Sequence, residues 1–363
     1  MDVRIVAVSI CFLCFANGCG GKKQDQVSEV KNQTGFKKPD NESSPKTVRP
    51  RSTANGGGAK SNSAGLTSSA SKGSSTPGAT TSQGSQVPSK AGAAKNTIKL
   101  IKAGAEPRRK LRYKFKANLS EKMVMDTYMS MALQLGARKQ PETKLPGSRS
   151  KMTVTTKDVT PAGAVNYEFT MDGVEVLPTP GASQVAINAA KAQVKSMQGM
   201  TGSATVSPRG FTKKARINLP EGISPQVAHL MNNMKRSLDQ LSIMLPAEEV
   251  GKGAVWQVTM PVKTPMFTLT QVVTYTIWDV TENTVKLDSK VTQFAEPQDV
   301  KVGRIKARLE SLRTSGIGTI EMNLASLVPK SMAKLTTKNV MSANGRKIST
   351  TMRITVNLSK PKE

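Results

Sequence analysis

Residues 165–171 read VNYEFTM, and every second residue is apolar: Val165, Tyr167, Phe169 and Met171 fall on one side, Asn166, Glu168 and Thr170 on the other. A period of two marks a strand with one dry and one wet face, and such strands belong to antiparallel sheets covered on one side only. The pattern recurs along the chain. ISTTMRITVNL (348–358) aligns Ile348, Thr350, Met352, Ile354, Val356 and Leu358, and FTLTQVVTYTI (267–277) aligns Phe267, Leu269, Val273, Tyr275 and Ile277. KMVMDTYMSMALQL (122–135) aligns Met123, Met125, Met129, Met131, Leu133 and Leu135, with Thr127 among them. Pro161-Ala162-Gly163, Glu282-Asn283 and Asn344-Gly345 fall between alternating runs as hairpin turns. A weak echo, TTKDVTPAGAVNYEF, TIWDVTENTVKLDSK and TTKNVMSANGRKIST, repeats one design of strand, turn and strand, as a meander would.

Two segments break the alternation and predict helices. Ser224-Pro225 supplies an N-cap and a first-turn proline, after which Val227, Leu230, Met231, Met234, Leu238 and Leu241 form a stripe that Pro246 stops. The other runs from Ser183 to about Met197, with Ile187, Ala190, Val194 and Met197 on one side. Val302 to Leu312 fits either state; the strand is preferred, because Gly316 and Gly318 then make a turn into TIEMNL. The fold class expected is mainly β (α+β): a curved antiparallel sheet or half-barrel, with the two helices packed on its apolar face.

The N-terminus reads differently. An eleven-residue run from Ile5 to Phe15, apolar except for Ser9, is too short for a membrane-spanning helix but suits a signal peptide over residues 1–18. Ala16-Asn17-Gly18-Cys19 resembles the lipobox of bacterial lipoproteins, in which the signal is cut before a cysteine that carries lipid. The usual Leu is Ala16 here and the usual small second residue is Asn17; ordinary signal cleavage is the alternative. Cysteines occur only at 11, 14 and 19, so none remains downstream to pair with Cys19 in an oxidising compartment. By the same resemblance, Gly20 after the cysteine implies an exported lipoprotein of the outer membrane, facing the periplasm. Residues 19–95 are Ser-, Gly-, Thr- and Lys-rich, with almost no large apolar side chain, and predict a disordered linker. A flexible coil of about 75 residues spans ~50 Å.

Residues 96–363 form the β-rich globular domain and hold 40 Lys and Arg against 20 Asp and Glu, out of a net charge of +28 for the chain. The basic residues are spread along strands, with no Lys/Arg-rich helix and no aromatic RNA-binding signature, so nucleic acid is not the expected partner. An exported chain meets anionic envelope lipid, lipopolysaccharide and acidic polymers instead; a solvated cationic surface is the other reading.

Candidate chemistry is sparse. His229 is the only histidine and lies with Asn233 and Arg236 on the polar side of the second predicted helix. No Ser-His-Asp or Cys-His arrangement can be built on it, and no thiolate or histidine cluster can hold zinc. VGKGA lacks the spacing and the Ser/Thr of a phosphate-cradling loop. Glu248-Glu249 are adjacent, point apart and read as surface charge. No catalytic residue, metal or cofactor is therefore expected, and Cys19 is the one site residue.

Pro246, Val250, Gly251, Gly253 and Trp256 form a Pro-x-x-x-Val-Gly-x-Gly-x-x-Trp element, followed by Gly316, Gly318 and Leu327-Val328-Pro329. Together these resemble an uncharacterised family of bacterial lipoproteins, over most of residues 105 to 358. Its motifs are turn and core residues, so the resemblance implies the class without a mechanism. The expected architecture also looks like the half-barrels of periplasmic lipoprotein carriers. Two functions are consistent with the sequence: a non-catalytic structural or adaptor module with a basic surface, or a half-barrel that takes an acyl chain in a cavity. A filled interior would favour the first and a cavity of several hundred Å³ the second.

Overall fold

The computed structural model describes residues 96–194, 197–218, 242–264, 266–302 and 305–361. The signal peptide, Cys19 and the linker expected over residues 1–95, and the predicted helix with His229, lie outside the described residues.

Two meanders make up one sheet. The first comprises β3 (Ser120–Leu135), β5 (Thr143–Val159), β6 (Val165–Leu177), β7 (Thr201–Val206) and β8 (Thr212–Asn218). The second comprises β10 (Val255–Lys263), β11 (Thr268–Val280), β12 (Thr284–Ala295), β14 (Ile305–Asn323), β15 (Lys330–Ala343) and β16 (Arg346–Ser359). The last strand, β16, pairs antiparallel with β3 and joins the halves. With β1 (Thr97–Lys102) on the outer side of β10, β4 (Arg138–Lys139) against β3 and β13 (Gln298–Val302) against β14, the sheet has fourteen strands and does not close; β2 (Arg109–Lys110) and β9 (Glu249–Val250) pair separately.

Every alternating run quoted above is a strand, apart from Phe267 just before β11, and the aligned residues share the buried or half-buried side except Leu135, exposed at the end of β3. All three echo segments are hairpins: β5–β6, β11–β12 and β15–β16. Asn344 and Gly345 adopt φ of 50° and 72°, the left-handed pair that a two-residue hairpin turn needs to match strand twist. The expected turn at Gly316 and Gly318 does not occur, because β14 runs straight through both. Both face inward, where a Cβ at 316 would lie 2.6 Å from the Leu335 Cγ and one at 318 would lie 2.8 Å from the Met332 carbonyl. The glycines are there for close packing, not for reversal.

Of the two expected helices, the one from Ser183 falls among the described residues. Among the described residues there is one helix, α1 (Gln184–Val194), capped by the Ser183 hydroxyl, which accepts from the Ala186 N–H at 3.2 Å. It rests on β5 and β6 with Ile187, Ala190 and Val194 only half-buried. What covers the apolar face here is two segments without regular structure. Leu111, Tyr113 and Phe115 form one, and Ile243, Met244 and Leu245 the other. Such segments must place their backbone groups. The Tyr113 N–H donates to the Pro208 carbonyl and the Lys114 N–H to the Leu324 carbonyl, each at 2.8 Å, and the Leu245 N–H donates to the Arg209 carbonyl at 2.9 Å. Arg112 ties the two together by donating to the Pro246 and Ala247 carbonyls, and burial, with Arg209 nearby, lowers its pKa.

The family-like element has a packing role. Trp256 is fully buried, donates its indole N–H to the Met244 carbonyl at 3.0 Å and stacks on Tyr275 with centroids 5.2 Å apart. Gly251 donates to the Ala103 carbonyl, and a Cβ there would sit 2.0 Å from the Ala105 oxygen. Met322 of β14 and Val206 of β7 are six strands apart, about 29 Å on a flat sheet. Yet they line one cavity, so the sheet bends around its apolar face.

Two polar groups on that face are satisfied internally. Glu121, nearly buried, accepts from the Ser326 hydroxyl (2.6 Å), the Leu327 N–H (2.9 Å) and the Lys360 ammonium (2.8 Å). Across β10 to β15 one inward row reads Met260, Gln271, Gln293, Thr314 and Thr337. Gln293 donates to Gln271 at 2.6 Å, and the two threonine hydroxyls are 2.8 Å apart.

Candidate functional site

Partner strands place paired residues on the same face, so the register converts scattered lysines into a pattern. On the outward face, Lys290 of β12, Ile317 of β14 and Lys334 of β15 are direct neighbours in one row. Two outward positions along, Phe294, Arg313 and Lys338 make another, with the Arg313 guanidinium 5.6 Å from the Phe294 ring centroid. With strands ~4.8 Å apart and same-face residues ~7 Å apart, the four cations and Ile317 occupy an area of about 10 by 14 Å.

Some outward cations are paired across strands and others are not. On the first meander, Arg149 meets Asp126 at 2.7 Å and Lys157 meets Glu168 at 3.0 Å, while Lys151 pairs with Glu175. The Asp126 carboxylate raises the pKa of Arg149 further above its ordinary value. None of Lys290, Arg313, Lys334 and Lys338 has an ion-pair partner among the described residues. Of the neighbouring outward positions only Asp288 carries a carboxylate. Ile317 is 67% exposed and Met332 42%, so the unpaired cations surround apolar surface. At the margin, Arg353 is held by Glu142 at 2.7 Å, and Glu142 also accepts from Ser130. The Ser130 hydrogen bond first, then Arg353, lowers the Glu142 pKa.

Past this patch the sheet forms a cleft of about 750 Å³ between the β13–β14 hairpin and the β15–β16 turn. Inside the bend, by contrast, Tyr113, Phe115, Met123, Tyr167, Ile243 and Met322 enclose about 40 Å³, room for little more than water.

Glu248 and Glu249 are exposed, and Glu249 lies opposite Lys110, as surface charge. Cys19 and His229 lie outside the described residues, so the structure brings neither to a site. The basic patch was invisible residue by residue; outward parity within each strand was the available signal, and the missing piece was which strands are neighbours.

No curated protein matches this chain. Residues 230–326 match a family of unknown function, DUF6263, and that stretch takes in the Pro246-to-Trp256 element, β10 to β12 and the close-packed glycines of β14.

Proposed function

We propose that this protein is a membrane-anchored envelope lipoprotein, acylated at Cys19 after removal of residues 1–18, whose β-rich domain works as a non-catalytic adaptor at the end of the 19–95 linker. The Ala16-Asn17-Gly18-Cys19 stretch supports the anchor, and Gly20 after it supports an outer-membrane address facing the periplasm. The observation that carries the adaptor reading is the outward patch of Lys290, Arg313, Lys334 and Lys338, four neighbouring cations without an ion-pair partner among the described residues and set around exposed Ile317 and Met332. Its partner is an anionic surface with apolar character, such as acidic envelope lipid or lipopolysaccharide, onto which the cations and Ile317 dock together. The alternative, a half-barrel carrying an acyl chain, has less in its favour: a ligand of that size fills ~300 Å³ or more, against about 40 Å³ in the cavity that the described residues Tyr113, Phe115, Met123 and Met322 help to line inside the bend.

Two experiments test the reading. Cys19→Ser should move the protein from membranes to the soluble periplasmic fraction; sedimentation with membranes after a high-salt wash refutes the lipid anchor. The unacylated Cys19→Ser chain should still bind anionic vesicles at low salt and lose them towards physiological salt, where exposed charges are screened within ~8 Å. At ~1 kcal/mol per cation, exchanging Lys290, Lys334 and Lys338 for Gln should weaken binding about 100-fold. Unchanged affinity, or binding indifferent to salt, overturns the docking face.

A further inference from the structure

We propose that the cleft between the β13–β14 hairpin and the β15–β16 turn is a binding site for a phosphorylated group, a phosphomonoester or a diphosphate. The register builds it from two outward rows. Asp299, Arg308, Ser342 and Lys347 run side by side across β13, β14, β15 and β16, and Lys301 and Lys306 face each other in the next row of the hairpin. The two carboxylates are already engaged. Asp299 lies 3.2 Å and Glu310 4.0 Å from the Arg308 guanidinium, and Glu310 also accepts from the Ser342 hydroxyl at 2.6 Å. Lys301, Lys306 and Lys347 are left lining the cleft with no ion-pair partner among the described residues.

Like charges directly opposite on paired strands destabilise a hairpin. Lys301 and Lys306 are such a pair, and both are exposed with no carboxylate between them. An anion seated between the two ammonium groups turns that repulsion into attraction. The charged groups lining the cleft, four basic and two acidic, leave a surplus of two positive charges. That surplus matches a dianion better than a single carboxylate, and lysine binds phosphate as a point charge. At about 750 Å³ the cleft has room for the body that carries the phosphate, in the size range of small-molecule sites. The cleft is separate from the patch at Lys290 and Lys334, so the docking function and this site stand or fall independently.

The test is titration of the full unacylated chain with inorganic pyrophosphate, read by melting temperature and by calorimetry. Saturable stabilisation is expected, beyond that given by sodium chloride at equal ionic strength. Lys306→Gln should melt no lower than the parent without ligand, because the repulsion is gone, and should bind pyrophosphate at least tenfold more weakly. Lys347→Gln should weaken binding to a similar degree, and Lys122→Gln, exposed on β3, should leave it unchanged. Glucose 6-phosphate and vesicles of phosphatidic acid separate the sources. Binding of the sugar phosphate that Lys306→Gln removes assigns a free ester, whereas vesicle binding that persists when Lys290, Lys334 and Lys338 are all Gln and is then removed by adding Lys306→Gln assigns a lipid head group. Pyrophosphate acting no differently from salt, or variants at Lys306 and Lys347 that bind as the parent does, overturns the proposal.

Discussion

Glu121 offers the sharpest quantitative test of how this sheet is held together. Its carboxylate takes three donors from two other segments: the Ser326 hydroxyl and Leu327 N–H in the loop between β14 and β15, and Lys360 just after β16. Glu121→Ala removes the acceptor while the donors stay. The Lys360 side chain is 59% exposed and can be hydrated, so its share is at most ~1 kcal/mol. The Leu327 N–H and Ser326 hydroxyl lose charge-assisted bonds worth ~1.5–3 kcal/mol each, partly recovered because the Ser326 hydroxyl can still donate to the Val328 carbonyl. The sum is a loss of about 3–4 kcal/mol. For a domain of this size 1 kcal/mol moves the melting temperature by ~2–4 °C, so a drop of roughly 6–16 °C is expected, with the same free-energy loss in urea titration. Glu121→Gln, which keeps the shape but turns one acceptor into a donor, should cost about half as much, and Lys360→Ala less than 1 kcal/mol. If Glu121→Ala and Glu121→Gln both stay within 1 kcal/mol of the parent, the latch is not a latch.

Three further outcomes follow from the packing. Gln293→Leu alone should cost ~1–3 kcal/mol, because the Gln271 amide it faces is buried and would lose its partner. Adding Gln271→Leu should recover much of that loss in urea titration, whereas simple additivity would contradict the paired-amide account. Gly318→Val should destabilise by more than 2 kcal/mol, its Cβ meeting the Met332 carbonyl at 2.8 Å, while Gly173→Ala, with nothing within 4 Å, should be neutral or slightly stabilising; equal melting temperatures for the two would refute the packing role of the β14 glycines. Because the folded-state pKa of Glu142 is lowered, its bonds to Ser130 and Arg353 favour the folded state above its unfolded value near 4.5 and are lost as pH falls through the lower folded value. The melting-temperature gap between the parent and Glu142→Gln should therefore be steady from pH 7 to about 5 and shrink below that; a gap unchanged at pH 3 would show that the carboxylate charge is not involved.

The strands were legible because one-sided burial writes a two-residue period into the chain, as in VNYEFTM, and because Asn344-Gly345 is a turn by its own local chemistry. Glu121 was legible too, since it stands on the apolar parity of β3, two residues before Met123. Gly316 and Gly318 misled, because a glycine required by a neighbouring strand looks the same in one dimension as a glycine required by a turn. Of the two covering segments, Leu111-Arg112-Tyr113-Lys114-Phe115 alternates like a strand without being one, and Ile243-Met244-Leu245 carries no periodicity; both are chain fitted to the sheet rather than to itself. The basic patch and the cleft depend on which strands are neighbours, and hydrophobic patterning carries no record of that.

The pairing of β16 with β3 has a consequence in time. Met129 and Ile354 are partners in the register although more than 200 residues separate them. While the chain is being made, β3 waits with a bare edge until nearly everything else exists, and the two meanders remain unjoined half-sheets. Pairings of such sequence separation form slowly. Truncation inside residues 346–359 would therefore not trim a tail. It would cut the sheet at its midline, leaving β3 and β15 as two open edges able to recruit strands from other copies.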